Sequence, residues 1–250
     1  MEFRKLIIKI WAGHSFNIFK NPFLNSESKK NFEAVVFDLD GTLLNTLDDL
    51  AASMNRVLVS YQFPSHPLSS YLHFIGDGAQ MLSQRSLPED QRNESNIRKL
   101  HHAFEQDYRD NWGVATKLYP GIAEMLDHLI KRGMKLTILS NKPHEFTLST
   151  AGHFLANWNF QCVFGQREGV PKKPDPAGIL EISQKLGIPP QNMLYLGDSG
   201  VDMKTARVAG CHAIGVTWGF RSQEELLEHG AENLIENPNE LLVLIDSLQA

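Results

Sequence analysis

The stretch FDLDGTLLN, residues 37–45, follows an apolar run at 34–36 and places Asp38 and Asp40 at the end of a predicted strand. Strand residues two apart share a side, so both carboxylates are expected to face one crevice. The pair is open to three interpretations: a nucleophile with a proton carrier, two ligands of one cation, or turn acids beside Gly41. A calcium loop is excluded, because an EF-hand needs glycine at its sixth position and here glycine is fourth.

Short apolar runs alternate with helical patterns from residue 34 onward. The runs are apolar on both faces, as strands of a covered parallel sheet are. This alternation predicts an α/β fold with a doubly wound, Rossmann-like parallel sheet. Strands are predicted at 34–37, 135–139, 162–164, 193–196 and 213–216. Helices are predicted near 121–132, 144–151, 177–187, 202–210 and 223–229.

Glycines and small polar residues mark the expected helix ends. Asp202 and Ser222 are predicted N-caps, because their side chains accept from free helix amides. Four glycines that follow predicted helices are interpreted as C-terminal stops: Gly133, Gly152, Gly187 and Gly210.

The segment from about Thr46 to Trp112 has no strand pattern, and its apolar residues recur at helical spacing. Helical stretches are expected near 68–87 and 92–112. An insertion of this size between two sheet strands predicts an all-helical cap domain over the strand ends, where open α/β sheets bind ligands. The expected division is an N-terminal extension of unknown role at 1–32, an α/β core at 33–45 and 113–250, and the cap at 46–112.

The composition excludes several classes of function. A net charge of -5 argues against a broad nucleic-acid surface, which needs a basic excess. Cys162 and Cys211 have no partner at metal-ligand spacing, and two such thiols are typical of the reducing cytoplasm. No apolar run reaches the ~18 residues of a membrane-spanning helix. The apolar and basic segment at 1–30 fits either a membrane-surface helix or an irregular terminal extension.

Two further sites follow predicted strands. Ser140 and Asn141 suit an anion at the start of a helix, although the same residues are ordinary N-caps. Lys172 and Lys173 precede a proline, and the sequence KKPDP restricts the backbone so that Lys173 points in one direction. Its charge suits a phosphate or a carboxylate, while simple solvation is the alternative.

The fourth site is LGDSGVD at residues 196–202, which adds Asp198 and Asp202 at a strand-to-helix turn. Mg²⁺ takes oxygen ligands, usually from one or two carboxylates. Asp202 fits a metal site, a helix N-cap or both. Together the four sites indicate phosphoryl chemistry, because carboxylates hold Mg²⁺ while a hydroxyl, an amide and a lysine hold phosphate oxygens. A carboxylate also serves as a nucleophile that forms an aspartyl-phosphate.

The four motifs resemble those of the haloacid dehalogenase superfamily, in its phosphatase branch with a helical cap after the first motif. FDLDGTLLNT is similar to the first motif, TILSN to the second, KKPDP to the third and LGDSGVD to the fourth. The resemblance covers about residues 33–230. The sequences around the motifs, among them FIGDGAQMLSQRSL, resemble the phosphoglycolate phosphatase-like branch.

The resemblance implies a role for each matching residue. Asp38 would be the nucleophile, and Asp40 the general acid and then the general base. Mg²⁺ would be bound by the Asp38 carboxylate, the Asp40 backbone carbonyl and Asp198, with Asp202 in support. The transferring phosphoryl group would be held by Ser140 and Lys173, assisted by Thr42 and Asn141. Lys173 and Mg²⁺ are expected to keep Asp38 ionised at neutral pH, because nearby positive charge favours a carboxylate.

Asp40 narrows the reaction, because the dehalogenase and phosphonatase branches lack an acid at this position. A phosphate-ester leaving group needs a proton, which Asp40 provides. Asn45 departs from the family pattern, in which many relatives have Asp. The change removes a charge but keeps hydrogen bonding, so the chemistry is expected to survive.

The cap is expected to select the substrate. Asp77 lies in a Gly-Asp-Gly turn at the expected crevice mouth, with Gln80 and Arg85 close in sequence. Arg85 could pair with a substrate carboxylate, as 2-phosphoglycolate would need. The alternative is a solvent-facing helix arginine.

The leading hypothesis is a cytoplasmic, Mg²⁺-dependent phosphatase of a small phosphorylated metabolite, with 2-phosphoglycolate as the candidate. Its alternatives within the superfamily are a pyrophosphatase, a nucleotidase, a sugar-phosphate phosphatase or a phosphomutase. A non-catalytic binding protein on the same fold is a third hypothesis, because fold alone does not fix function. The expected assembly is a monomer or homodimer, with neither a nucleic-acid partner nor a transmembrane segment.

Overall fold

The computed structural model describes residues 31–250, and a six-stranded parallel sheet lies at its centre. Its strands are β1 (Ala34–Phe37), β4 (Lys135–Pro143), β5 (Phe160–Gln166), β6 (Met193–Gly197), β7 (His212–Val216) and β8 (Asn233–Ile235). They lie in the order β5-β4-β1-β6-β7-β8, and every neighbouring pair is parallel. The predicted fold and all five predicted strands are confirmed. β8 has no predicted counterpart, because a strand of three residues with only one buried side chain carries little pattern.

Helices cover both faces of the sheet. They are α5 (Ile122–Lys131), α6 (His144–Phe154), α7 (Ala177–Leu186), α8 (Gly200–Ala209), α9 (Gln223–Glu228) and α10 (Glu240–Gln249). Val35 and Phe37 of β1 join the buried apolar cluster that includes α5 and α10. Ala34 and Val36 join the opposite cluster, with α7, α8 and α9. Because both faces of β1 are fully buried, the strand is apolar throughout.

Four helices form the inserted segment: α1 (Leu47–Ser60), α2 (Leu68–Phe74), α3 (Ala79–Ser86) and α4 (Glu94–Asn111). They share a third buried apolar cluster, and two residues of the α/β core, Phe146 and Phe220, pack into it. The predicted helical stretch at 68–87 is two helices. Gly76 and Gly78 separate them with φ of 117° and 91°, a backbone that side chains rarely adopt.

Two short strands, β2 (Leu44–Asn45) and β3 (Lys117–Leu118), pair antiparallel where the chain enters and leaves the inserted segment. Asn45 is paired with Lys117, and its Oδ1 accepts from the Leu47 amide at 3.3 Å. In this structure Asn45 therefore secures the entry to α1.

Most of the predicted helix ends are confirmed. Gly187 and Gly210 lie directly after their helices, Gly133 lies one residue further on, and all three have positive φ. The stop at Gly152 is wrong, since α6 continues through it to Phe154. A single helical glycine costs only about 1 kcal/mol relative to alanine, which packing readily offsets. Ser222 caps α9 as predicted. The N-cap of α8 is Ser199 instead of Asp202, and Asp202, the third residue of the helix, completes the capping box with Ser199.

Within residues 31–250, every helix is too short or too polar to cross a membrane. The two interpretations of the segment at 1–30 concern residues that lie outside the described part of the chain.

Candidate active site

Adjacent strand ends bring the predicted site residues together at one edge of the sheet. β1 lies between β4 and β6, so Asp38 after β1 lies near Ser140 of β4 and Asp198 after β6. Lys173 comes from the loop between β5 and α7. The Asp38 amide donates to the Leu196 carbonyl at 2.9 Å, which continues the sheet ladder up to the site.

Lys173 bridges two of the carboxylates. Its Nζ lies 2.9 Å from Asp38 Oδ1 and donates to Asp202 Oδ1 at 2.7 Å. Asp202 Oδ1 also accepts from Tyr195 Oη at 3.0 Å, and its Oδ2 accepts from the Ser199 amide and hydroxyl. Both oxygens of Asp202 are therefore engaged, and this buried carboxylate holds the Lys173 ammonium beside Asp38.

The backbone of Lys173 is fixed by Asn141. Asn141 Oδ1 accepts from the Lys173 amide at 2.9 Å, and Asn141 Nδ2 donates to the Lys173 carbonyl at 3.2 Å. The Asn141 side chain, expected to assist phosphate binding, thus orients the residue predicted to bind phosphate.

Asp198 is held by two donors in a crowded backbone cradle. Thr42 Oγ1 donates to Oδ1 at 3.2 Å, and the Phe220 amide donates to Oδ2 at 2.8 Å. A Cβ on Gly41 or Gly219 would overlap the Asp198 side chain. The absence of a side chain at these two glycines therefore makes room for the Asp198 carboxylate. The hydroxyl of Thr42, which was expected to assist phosphate binding, donates to Asp198.

Burial dominates the electrostatics of the site. Desolvation raises the pKa of Asp38 to about 7, although the Lys173 ammonium opposes it. Desolvation raises the pKa of Asp198 to about 8, with further contributions from the Asp202 and Asp38 carboxylates. Lys173 alone therefore leaves Asp38 only partly ionised at neutral pH. The expectation of an ionised nucleophile depends on additional positive charge at the site.

A second buried lysine, Lys142, pairs with Asp40. Its Nζ donates to the two carboxylate oxygens of Asp40 at 3.2 and 3.4 Å, and to Tyr108 Oη at 3.0 Å. The Asp40 side chain is 12% exposed, and Lys142 only 4%. The two acids of the first motif thus have separate cations, Lys173 for Asp38 and Lys142 for Asp40.

Asp38 and Asp40 border a cavity of about 50 Å³ between the sheet and the inserted helices. One water molecule needs about 10–15 Å³ of such a cavity, so the cavity accommodates a few water-sized groups. On the sheet side it is lined by Ser140, Asn141, Lys142 and Pro143. On the inserted side it is lined by Ile75, Gly76, Gly78, Ala79 and Leu82.

The loop between α2 and α3 is held against the sheet by three side chains. Arg221, Asn141 and Lys172 donate to the successive carbonyls of residues 75–77, at 2.7, 3.3 and 2.8 Å respectively. The three donors come from separate segments of the α/β core, since Asn141 lies in β4 while Lys172 and Arg221 lie in the loops that precede α7 and α9. They keep the inserted segment closed over the cavity.

A family model for haloacid dehalogenase-like hydrolases matches residues 35–216. The chain belongs to the haloacid dehalogenase-like hydrolase family. The motifs quoted above lie within the matched region, and the predicted membership is confirmed.

Two curated relatives are named phosphoglycolate phosphatase. One, from Pseudomonas putida, is 32% identical over 224 residues, which cover 86% of this chain and 77% of the relative. Another, from Haemophilus influenzae, is 30% identical over 220 residues, covering 86% and 98%.

Solved structures show the same fold. A crystal structure of a protein from Lactobacillus delbrueckii subsp. bulgaricus is similar with a TM-score of 0.81 and 27% identity, covering 86% of this chain and 98% of that one. A predicted phosphoglycolate phosphatase from Haemophilus somnus is similar with a TM-score of 0.79 and 29% identity, covering 85% and 97%.

The acidic cluster of this haloacid dehalogenase-like hydrolase fits a divalent cation. Asp38, Asp198 and Asp202 each offer a carboxylate oxygen, and these oxygens lie within 4.8 Å of one another. Oxygen donors suit hard cations such as Mg²⁺. Burial, with a smaller contribution from neighbouring carboxylates, raises the pKa values of Asp38 and Asp198, and the charge of a bound dication would favour the ionised form of both.

The expected substrate-selecting residues of the insertion lie elsewhere. Arg85 pairs with the Asp77 carboxylate at 2.6 Å and donates to the carbonyls of residues 73 and 74. These partners hold the guanidinium within the insertion, and a contact of Arg85 with a substrate carboxylate stays a prediction. Asp77 and Gln80 line a wider groove of about 780 Å³ beside the cavity, away from Asp38.

Sequence reasoning missed Lys142, Tyr108 and Arg221. For Lys142 a signal exists, since it directly follows Ser140-Asn141 within the buried end of β4. A lysine is rarely buried without a paired charge, so its position in a strand pattern indicates an anionic partner. Tyr108 and Arg221 carry no comparable signal in the sequence.

Proposed function

We propose that this chain is a Mg²⁺-dependent phosphatase that hydrolyses a small phosphate monoester through an aspartyl-phosphate, with 2-phosphoglycolate as the first candidate substrate. Its class, phosphoric monoester hydrolase, follows from the family and the named relatives. The observation that carries the mechanism is the Asp38 carboxylate, which lies 2.9 Å from Lys173 and borders the same small cavity as Asp40.

In the first half-reaction, an Asp38 oxygen attacks the phosphorus while the bond from phosphorus to the ester oxygen breaks. The protonated side chain of Asp40 gives its proton to the departing oxygen, so the leaving group departs as an alcohol. The product on the enzyme is an aspartyl-phosphate at Asp38. The cavity that the two side chains share supports this division of roles.

In the second half-reaction, a water oxygen attacks the phosphorus of the aspartyl-phosphate. The Asp40 carboxylate takes a proton from that water, and the bond from phosphorus to the Asp38 oxygen breaks. Inorganic phosphate leaves, Asp38 is again a carboxylate, and Asp40 is again protonated. The net reaction is ester plus water giving alcohol plus phosphate.

The residues around Asp38 hold the transferring group. Lys173 offers a fixed positive charge, and Ser140, a buried residue, lies on the cavity wall. Fixed donors of this kind stabilise the charge of the transition state without reorganising. A Mg²⁺ ion held by Asp38, Asp198 and the Asp40 carbonyl, with Asp202 in support, would neutralise negative charge on the phosphoryl oxygens.

The shape of the cavity supports a small substrate. We propose that the segment at 46–112 acts as a cap domain whose closure leaves room for a short leaving group. The amino end of α3 borders the cavity at Gly78 and Ala79, and no side chain caps it. The free amides and dipole of a helix start favour a negative group such as a carboxylate. This arrangement, rather than Arg85, supports 2-phosphoglycolate over an uncharged ester.

The compartment is proposed from the cysteines. Cys162 and Cys211 are both buried free thiols, which supports a reducing cytoplasm.

The test is a phosphate-release screen with Mg²⁺ across small phosphorylated metabolites. The panel contains 2-phosphoglycolate, pyrophosphate, nucleoside monophosphates, sugar phosphates and p-nitrophenyl phosphate. The expected result is the highest kcat/KM for 2-phosphoglycolate, with Mg²⁺ required throughout. A preference for another compound reassigns the substrate but keeps the phosphatase chemistry.

The matched control is Asp38→Asn, which keeps the shape of the side chain and removes the nucleophile. Its phosphate release should fall to background for every substrate. Wild-type rates in this variant would overturn the nucleophile assignment. Conversion of a hexose 1-phosphate to its 6-phosphate, in place of phosphate release, would instead establish a phosphomutase.

A further inference from the structure

Lys142 contacts both Asp40 and Tyr108, but neither Lys142 nor Tyr108 has a role in the four motifs described above. Lys142 Nζ lies within hydrogen-bond distance of both oxygens of Asp40, which leaves the carboxylate little freedom to rotate. The same ammonium donates to Tyr108 Oη and lies 4.7 Å from the centre of the tyrosine ring. Lys142 also lines the cavity beside Asp40.

The position of the Lys142 ammonium is fixed on three sides. Lys142 is buried, and its three N–H donors meet the two oxygens of Asp40 and Tyr108 Oη. Charge-assisted contacts of this kind fix the direction in which the neighbouring carboxylate points.

Tyr108 fixes Lys142 from the inserted segment. Its ring is 2% exposed and lies between Phe104 of α4, with centroids 5.6 Å apart, and Phe146 of α6, with centroids 5.4 Å apart. Phe146 belongs to the sheet layer, so the hydroxyl of Tyr108 reaches Lys142 where the insertion packs on the sheet. Movement of α4 away from the sheet would remove this partner from Lys142.

We propose that Lys142 is a positioning residue that holds the Asp40 carboxylate for proton transfer, and that the Tyr108 hydroxyl holds Lys142 when the insertion is closed. The inference rests on the proposed function, because it takes Asp40 as the group that exchanges protons. It adds that proton transfer is aligned only in the closed arrangement. The alternative is a structural ion pair that stabilises the fold without affecting turnover.

Kinetics with p-nitrophenyl phosphate distinguish a positioning role of Lys142 from a purely structural ion pair. The leaving group of this ester departs without a proton, so the first half-reaction needs little help from Asp40. The second half-reaction still needs Asp40 to take a proton from water. Rapid-mixing kinetics therefore gives a burst of nitrophenolate that counts active sites, followed by a steady rate that reports the second step.

Lys142→Met should keep a burst of one product per folded enzyme while its steady rate per active site falls by about 10- to 100-fold, part of the usual contribution of acid–base catalysis. Tyr108→Phe keeps the ring and its packing, so its steady rate should fall by a smaller factor, about 3- to 10-fold. KM should change little in both variants. With 2-phosphoglycolate the loss should be at least as large, because its leaving group needs a proton.

The controls remove the same groups where they are exposed. Lys185→Met removes an ammonium on α7 that is 54% exposed, and Tyr61→Phe removes a hydroxyl from a tyrosine that is 44% exposed. Both should retain the wild-type steady rate per active site. Asp40→Asn should slow the same step as Lys142→Met, but more strongly.

Unchanged turnover per active site in both Lys142→Met and Tyr108→Phe would overturn the inference, as would losses confined to KM or to the number of active sites. If Lys142→Met does not fold, Tyr108→Phe decides alone. These failures are distinct from failure of the proposed function, which would appear as an inactive wild type or a fully active Asp38→Asn.

Discussion

Replacing Lys173 by methionine tests the electrostatic structure of the site. The ammonium lies between two buried carboxylates, Asp38 and Asp202, at 2.9 and 2.7 Å. Methionine fills a similar volume, so little cavity cost is expected and the loss reports the missing charge. Removal of one partner from a buried ion pair costs about 3–5 kcal/mol, because the other partner stays buried without compensation. We expect a loss of this size without Mg²⁺ at about pH 8.

The loss should depend on pH with a definite sign. Without the ammonium, the pKa of Asp38 in the folded variant rises further above its unfolded value. An acid with a raised folded pKa costs stability as pH increases toward that pKa, and the cost disappears when the acid is protonated. The deficit of Lys173→Met relative to wild type should therefore be largest at about pH 8 and shrink by up to about 1.4 kcal/mol at about pH 5.5, because pH 8 lies about one unit above the wild-type pKa of about 7.

Urea unfolding followed by tryptophan fluorescence measures the effect. With a urea m-value of about 3 kcal/mol/M, a loss of 3–5 kcal/mol lowers the midpoint by roughly 1–1.7 M. Lys172→Met is the matched control, because Lys172 is exposed and its ammonium donates to one carbonyl. It should lose less than about 1 kcal/mol at either pH. A midpoint for Lys173→Met within the range of this control, or an equal deficit at both pH values, would refute the reasoning.

Two further predictions concern the metal and the glycine cradle. Gly219→Ala should weaken Mg²⁺ binding, measured by calorimetry, by at least about tenfold, because the new methyl displaces the Asp198 side chain. The control is Gly152→Ala, where the new methyl has open space around it. This control should stabilise the protein by about 0.5–1 kcal/mol and leave the Mg²⁺ affinity unchanged. An equal effect of the two substitutions on Mg²⁺ affinity would contradict the assignment. Because the pKa values of Asp38 and Asp198 are raised to about 7 and 8, the metal-free protein should lose stability as pH rises toward 8, while stabilisation by Mg²⁺ grows over the same range. A thermal shift on adding Mg²⁺ that is constant with pH would count against these ligands.

The site at the strand ends could be read from the sequence because the fold is regular. Three of the four motifs directly follow an apolar run, and parallel strands bring their carboxyl ends to one edge whatever the details of packing. Asp38, Ser140 and Asp198 therefore meet, as their positions after predicted strands indicated. The predicted helix end at Gly152 was wrong because the local preference of a glycine is weak and packing overrides it.

Several partners of the charged side chains could not be read in this way. For Arg85 the sequence left a substrate carboxylate and solvent as alternatives, and the structure places its guanidinium against Asp77. Asp202 was open to a metal or capping role, and its two oxygens are divided among Lys173, Tyr195 and Ser199. Such choices depend on angles between elements that a sequence pattern does not contain.

The sequence by itself determined the doubly wound sheet, the helical insertion and the four segments that contain the candidate site residues. These follow from periodicities of two and 3.6 residues and from the residues that end each strand. Only the tertiary structure decided that Lys142 pairs with Asp40 and that Lys173 also pairs with Asp202. Lys142 and Asp40 lie 102 residues apart, and Lys173 and Asp202 lie 29 apart. The physical reason is that a buried charge takes the partner that core packing brings within about 3 Å, and packing is set by the whole fold rather than by neighbours in the chain.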